Sequence, residues 1–326
     1  MPEPILKVDN LTMHYQTRAG DVSAVDGVTF ELAEGESLGL VGESGCGKTS
    51  VASSLLKLLA ENASIKAGSI RFKDVDLTPL SEDEMRQYRW RNIAMVFQAA
   101  MNALNPVYTV GDQIIEAMEA HLRVFTYKQA RERVAELFQM VGLEPSLMDR
   151  YPHEYSGGMR QRAVIAMALS CNPDIIIADE PTTALDVIVQ DNLLRELKML
   201  QNRIGMSMIY ISHDIAVIAE VSDRIGVMYA GNLVELASAE AIFHHPLHPY
   251  TAALMGAFPS VTGPKRELTT LGGEPPNLLN PPTGCRFHPR CPYATERCRR
   301  EVPSFKNHGG GHYAACWHPL ELKVEM

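Results

Sequence analysis

Eight consecutive residues, Gly42-Glu43-Ser44-Gly45-Cys46-Gly47-Lys48-Thr49, have the types and spacing to hold a chain of phosphates. In a G-x-x-x-x-G-K-T run the glycines let successive backbone N–H groups turn inward around phosphate oxygens. A helix that starts at once, here through Ser50, adds its positive N-terminal end. Lys48 would neutralise the β- and γ-phosphates of ATP, and the Thr49 hydroxyl would hold Mg²⁺. Much further along the chain two adjacent carboxylates, Asp179 and Glu180, close an apolar run. Placed at a strand end, the first can reach the metal and the second can polarise an attacking water.

These groups need elements to position them. Residues 37–41 (SLGLV) read as a short strand entering the loop, and residues 50–60 carry apolar positions at helical spacing. A chance glycine-rich turn would lack that strand–loop–helix order. Residues 174–178 (DIIIA) read as a strand buried on both faces of a parallel sheet. Further strands are expected over 93–97 and 207–211, and a helix over 250–257. Val134, Leu137, Phe138 and Val141 fall at helical spacing and read as core. Ser156-Gly157-Gly158 opens a long apolar segment, which is a serine-capped helix start able to offer N–H groups to an anion.

Composition bounds what this machinery serves. The chain has 326 residues, 46% of them apolar, enough for a large core, and a net charge of −9, which argues against general nucleic-acid binding. Nine Lys/Arg against six Asp/Glu follow residue 245, so the tail carries +3, and 12 of the 20 prolines lie there. A domain boundary near residue 245 is expected from this shift. No stretch approaches the ~18–20 apolar residues that span a bilayer, and no signal pattern opens the chain, so a soluble, cytoplasmic protein is expected.

Tyr155-Ser156-Gly157-Gly158-Met159-Arg160-Gln161-Arg162, placed between the phosphate loop and Asp179-Glu180, resembles the signature of ABC-transporter ATPases. Tyr155 and Met159 depart from the usual L-S-G-G-Q, while the serine and both glycines are kept. The resemblance implies an α/β fold: a RecA-like P-loop NTPase core with an antiparallel β-subdomain, a helical insertion over about 99–172 and a small C-terminal accessory domain. It implies residues 1–245 as the ATPase domain and 246–326 as the tail domain. Gln98 would be the glutamine that senses Mg²⁺ and the membrane partner, Ala184-Leu185-Asp186 the D-loop, and His213 the switch histidine on the γ-phosphate. Tyr15 would stack on adenine, although a tyrosine at a strand end is also a common core residue. Cys46 would be a packing residue within the nucleotide loop. Met101-Asn102-Ala103-Leu104-Asn105-Pro106 is similar to the pattern by which oligopeptide-importer ATPases meet their permease.

The tail adds four cysteines, Cys285, Cys291, Cys298 and Cys316, spaced C-x5-C-x6-C-x17-C in a Pro/Gly-rich segment without an obvious core. Four thiolates can hold tetrahedral zinc or an iron–sulfur cluster, whereas cytoplasmic disulfides are disfavoured. With Phe287, Arg290 and Pro292 the segment resembles the C-x-F-x-x-R-C-P tails of dipeptide-importer ATPases, which implies a [4Fe–4S] cluster on these cysteines. Arg286, Arg290, Arg297, Arg299 and Arg300 would offset its charge, or form a solvated face. His244, His245 and His248 could suggest a metal site, but H-P-x-H-P-Y-T resembles the start of the importer tail.

The resemblance therefore implies an ATP hydrolase powering peptide import, peripheral on the cytoplasmic face of the membrane. Its partners would be a second ABC ATPase subunit in a heterodimer, two transmembrane permease subunits and, indirectly, an extracytoplasmic binding protein, with no nucleic acid. The same motor occurs in nickel and oligosaccharide importers. A soluble ABC ATPase would bring coiled-coil insertions or a second cassette, and neither is seen.

Overall fold

The computed structural model describes residues 3–98, 103–122, 126–181, 187–256 and 272–320. The chain forms two compact units. One is built from Met1–Glu3, Ala33–Glu36 and Pro79–Tyr210, the other from Pro4–Leu32, Ser37–Thr78 and Ile211–Met326.

The second of these carries the phosphate loop. It begins with β1 (Pro4–Thr17), β2 (Gly20–Ala33), β3 (Ser37–Val41), α1 (Lys48–Leu55), β4 (Ala63–Phe72) and β5 (Val75–Asp76). β1 pairs antiparallel with β4 from Leu6↔Phe72 to Tyr15↔Ala63, β4 pairs antiparallel with β5, and the sheet runs β2-β1-β4-β5. This is the antiparallel subdomain the resemblance implies. β3 is buried at every position, as its unbroken apolar run requires. α1 is shorter than the apolar spacing over 50–60 predicts. Lys57 adopts a left-handed backbone, φ 50°, and its ammonium donates to the Thr78 carbonyl at 2.8 Å, which ends the helix.

The other unit holds α2 (Glu82–Met85), β6 (Ile93–Val96), α3 (Val110–His121), α4 (Tyr127–Met140), α5 (Gly157–Leu169), β7 (Ile175–Asp179), α6 (Val187–Ile204) and the start of β8 (Ser207–Ser212). β6 pairs parallel with β7 from Ile93↔Ile175 to Val96↔Ala178, and β8 lies beside β7. α3, α4 and α5 pack on one another. Thr109 caps α3 by accepting from Asp112 N–H, and a Thr126–Gln129 capping box starts α4. Val134, Leu137 and Phe138 are fully buried with Ile114 and Met118, as the helical spacing predicts. Each such side chain contributes about 1.5–3 kcal/mol. This cluster falls within the expected helical insertion; Met101 and Asn102 of its permease-facing motif lie outside the described residues.

The chain then returns to the phosphate-loop unit through α7 (Ile215–Val221), β9 (Arg224–Tyr229), β10 (Asn232–Ser238), α8 (Ala239–His244), α9 (Pro249–Gly256), α10 (Glu296–Arg300), β11 (Lys306–Asn307) and β12 (Tyr313–Ala314). β3 pairs parallel with β9, β9 antiparallel with β10, and the tail strand β12 antiparallel with β10 at Glu235↔Ala314 and Leu236↔Tyr313. Main-chain pairing thus ties the tail to the sheet that carries the loop. Among the described residues no helix is long and apolar enough to cross a membrane.

Candidate functional site

The loop between β3 and α1 has the conformation that its glycines permit. Gly42, Gly45 and Gly47 have φ of 150°, 77° and 105°. A Cβ on Gly42 would lie 2.2 Å from the Met228 carbonyl oxygen, and one on Gly47 2.2 Å from that of Ala24. Neither position tolerates a side chain. Lys48 is 6% exposed, and its ammonium donates to the carbonyls of Gly42 at 2.7 Å and Glu43 at 3.1 Å. A buried ammonium ringed by loop carbonyls is a fixed positive charge at the place where phosphate is expected. Cys46 is buried beneath it, with Sγ 3.6 Å from Lys48 Nζ, and desolvation pushes the thiol up, so it packs as an uncharged residue. Thr49 and Ser44 are exposed and Ser50 half-buried.

Tyr15, at the end of β1, lies over the start of α1, its hydroxyl 3.3 Å from Ser50 Oγ. That places an aromatic ring next to the nucleotide loop. His213 follows β8 and is exposed; Asp214 after it caps α7, accepting from Ala216 and Val217 N–H groups.

The helical unit carries the acidic groups. Asp179 closes β7 and is 1% exposed. Glu180 follows with φ 46°, a left-handed backbone that a non-glycine residue holds at a cost of about 1–3 kcal/mol. The Gln98 amide donates to the Glu180 carboxylate at 2.7 Å. The resemblance implies that Gln98 senses Mg²⁺; the structure places its amide on the carboxylate of the expected base. Ser156 is exposed and caps α5, accepting from Met159 N–H at 3.3 Å, with Gly157 and Gly158 in its first turn. Tyr155, which stands where the usual signature has leucine, is 4% exposed and its hydroxyl donates to the Leu147 carbonyl at 2.7 Å. Ala184, Leu185 and Asp186 lie outside the described residues.

In the tail, Cys285, Cys291, Cys298 and Cys316 line one pocket with Phe287, Trp317 and three histidines. Donors face the sulfurs. His318 N–H donates to Cys316 Sγ at 3.3 Å, Thr295 Oγ1 lies 3.4 Å from Cys298 Sγ, and backbone groups of Phe287 and His288 act on Cys285 and of Tyr293 on Cys291. Burial nevertheless pushes the thiols of Cys285 and Cys291 up, and that of Cys316 to about 11. A carboxylate-free pocket of four sulfurs with directed donors fits the donor chemistry of a thiolate cluster. It is not a preformed cage, however. Among the described residues no three His, Cys, Asp or Glu side chains are gathered closely enough to hold an ion, and the expected metal centre is not met in that form. A tetrahedral zinc, with Zn–S about 2.3 Å, would need the sulfurs closed to about 3.8 Å. His248 is buried, its Nδ1 accepting from Tyr250 N–H at 3.0 Å, while His244 and His245 are exposed, so these three histidines share no site.

The tail also has a core that sequence reading missed. Phe287, 1% exposed, packs against Tyr229, Tyr250 and His248 at ring distances of 5.1, 5.4 and 5.6 Å. Arg286 reaches the Asp26 carboxylate and the Ala230 carbonyl, and Arg290 forks onto Glu43. Arg286 and Arg290, 11% and 5% exposed, do not form a solvated face: their charges meet Asp26 and Glu43 in ion pairs that no spacing in the sequence announces.

A family model described as ABC transporter matches residues 25–183, and one described as oligopeptide/dipeptide transporter, C-terminal region, matches residues 234–298. The dipeptide transport ATP-binding protein DppD of Bacillus subtilis is 46% identical over 318 residues, 97% of this chain and 95% of the relative. DppD of Escherichia coli is 42% identical over 319 residues, 97% of each chain. The oligopeptide transport ATP-binding protein AppF of Bacillus subtilis is 44% identical over 305 residues, 93% of this chain and 91% of the relative. Among solved structures, the dimeric ATP-binding cassette MJ0796 bound to ADP and Pi is similar with TM-score 0.64 at 28% identity, covering 72% of this chain and 98% of the other.

Proposed function

Because the chain belongs to the ATP-binding subunits of dipeptide and oligopeptide ABC transporters, we propose that it hydrolyses ATP to power peptide import. The observation that carries the reading is the glycine-built loop with the Lys48 ammonium held on the Gly42 and Glu43 carbonyls. Residues 1–245 act as the motor and 246–326 as its accessory domain. Gly42, Ser44, Gly45, Cys46 and Gly47 form the phosphate cradle, completed by Lys48, Thr49 and Ser50, and Tyr15 stacks on adenine. Thr49 and Asp179 are the residues that would hold Mg²⁺, Gln98 would sense it, and the Gln98 amide orients Glu180. Glu180 takes the proton of the attacking water, and His213 contacts the γ-phosphate.

Ser156, Gly157 and Gly158 serve the nucleotide of a second ATPase subunit. The exposure of Ser156 at a helix start supports this, as does the dimeric state of MJ0796. The pair works beneath two permease subunits on the cytoplasmic face of the membrane, and an extracytoplasmic binding protein delivers the peptide. In this reading two subunits close around ATP, and a ligand that shifts such a two-state pair fully must favour the closed state by several kcal/mol.

The tail reading is a [4Fe–4S] cluster held by Cys285, Cys291, Cys298 and Cys316. A bound cluster would supply a covalent tie across the pocket and one-electron redox chemistry. The chain's own contribution is the set of donors that face the four sulfurs.

Reconstitution tests the function. ATP turnover by the subunit with its permeases in vesicles should rise when peptide-loaded binding protein is added. Turnover indifferent to peptide, but responsive to nickel or an oligosaccharide, would move the cargo; turnover without any permease at the full rate would remove the transporter reading. Anaerobically prepared protein should contain about four iron and four sulfide per chain. One zinc per chain would reassign the tail, and metal-free protein with an ordered tail would end both readings.

A further inference from the structure

Glu43 is a variable position of the phosphate-loop pattern, yet its backbone and its side chain are both held by other parts of the chain. Its carbonyl accepts from Lys48 at 3.1 Å. Its backbone N–H donates to the Tyr250 hydroxyl at 3.0 Å. Its carboxylate receives both terminal nitrogens of Arg290, at 2.7 and 3.0 Å. The last two partners belong to the chain after residue 245, and all four residues lie in one compact unit.

Arg290 is itself fixed. Its side chain is 5% exposed, Nε donates to the Gly272 carbonyl at 2.9 Å, and the guanidinium lies 5.7 Å from the centre of the Tyr229 ring. The hydrogen bonds to Glu43 hold its pKa above the ordinary arginine range. Tyr250, fully buried, packs on Tyr229 at 4.7 Å. The grip on Glu43 is therefore rigid at its tail end. At its loop end the neighbours Gly42 and Gly45 have positive φ and little intrinsic preference for one conformation. A bidentate pair fixes angle as well as distance. It decides where the Glu43 carbonyl points, and hence where the Lys48 ammonium rests.

We propose that Arg290 and Tyr250 are positioning residues for the nucleotide site: the tail grips Glu43 and so sets the affinity of the phosphate loop for MgATP. The idea rests on the ATP reading above, since it concerns how tightly that loop holds phosphate. Coupling between separate parts of a protein is typically roughly 5- to 150-fold in affinity. Glu43 is a quarter exposed, which places the expected effect near the lower end, at about tenfold.

The test is MgATP binding by calorimetry to the full chain and to Arg290→Met, Arg290→Lys, Glu43→Gln and Tyr250→Phe, with the melting temperature of each. Arg290→Met should raise the Kd about tenfold and Arg290→Lys, which keeps charge but loses the fork, by less. The double variant Glu43→Gln/Arg290→Met should bind no more weakly than the weaker single, because both remove the same pair. In the assembled transporter, KM for ATP should rise while kcat holds. A Kd within twofold of native in folded Arg290→Met, or additive losses in the double variant, would overturn the proposal. Should Arg290→Met fail to fold, Tyr250→Phe decides in the same way: weakened MgATP binding supports the grip and an unchanged Kd overturns it. Native chain that binds no MgATP at all would instead remove the ATP reading.

Discussion

Glu180→Gln should leave MgATP binding intact and nearly stop hydrolysis. Glu180 lies one residue beyond β7 with a left-handed backbone, and the Gln98 amide sits 2.7 Å from one carboxylate oxygen. Glutamine keeps the size, the backbone demand and an oxygen that can still accept from Gln98. Only basicity is lost. Removing a general base typically lowers turnover by ~10²–10⁴, about 3–5 kcal/mol of barrier. The Gln98 hydrogen bond sets a smaller scale. A bond to a charged acceptor contributes ~1.5–3 kcal/mol when buried, and the exposure of Gln98 reduces that to about 1 kcal/mol. Gln98→Ala should therefore slow hydrolysis by about tenfold or less if Gln98 acts only through Glu180, and adding it to Glu180→Gln should do little more. The assay is single-turnover hydrolysis in the complete assembly beside equilibrium MgATP binding. Native turnover in Glu180→Gln would refute the base assignment. A rise in Kd matching the fall in turnover would show that Glu180 serves binding instead.

Lys48→Ala removes the ammonium that donates to the Gly42 and Glu43 carbonyls and should weaken MgATP binding by ~10-fold or more, read by calorimetry. Ser156→Arg puts a bulky cation on an exposed helix start; it should impair hydrolysis at the partner's site while ATP affinity at its own loop stays native, and an equal loss at its own loop would contradict the shared-site arrangement. His248 supplies a pH dependence. Burial lowers its pKa from 6.5 to about 4, so the unfolded chain takes up the proton first and stability is lost as pH falls from about 6.5 towards 4. Urea unfolding across that window should show about 3 kcal/mol of this loss in the native chain and a flatter profile in His248→Asn.

The glycine-built loop was legible in the sequence because its geometry is local. A loop that must point N–H groups inward needs glycines at fixed offsets, and Gly42 and Gly47 are where a Cβ would meet a carbonyl at 2.2 Å. β3 and β7 were legible because strands covered on both faces read as unbroken apolar runs. Helix ends were less so: α1 stops at a left-handed Lys57 that its apolar spacing gives no sign of. What tertiary structure alone decided is the partnership of residues far apart in the chain. Gln98 meets Glu180, Phe287 finds its core on Tyr229 and Tyr250, and Arg290 reaches back to Glu43. A tail rich in Pro and Gly showed no obvious core of its own, because a sequence shows only the apolar groups a segment brings with it. Folding supplies the surface it borrows, here β10 and the aromatic cluster beside the phosphate loop. An ion pair has no period and no spacing rule, so it becomes visible only when the chain has brought its two charges within hydrogen-bonding distance.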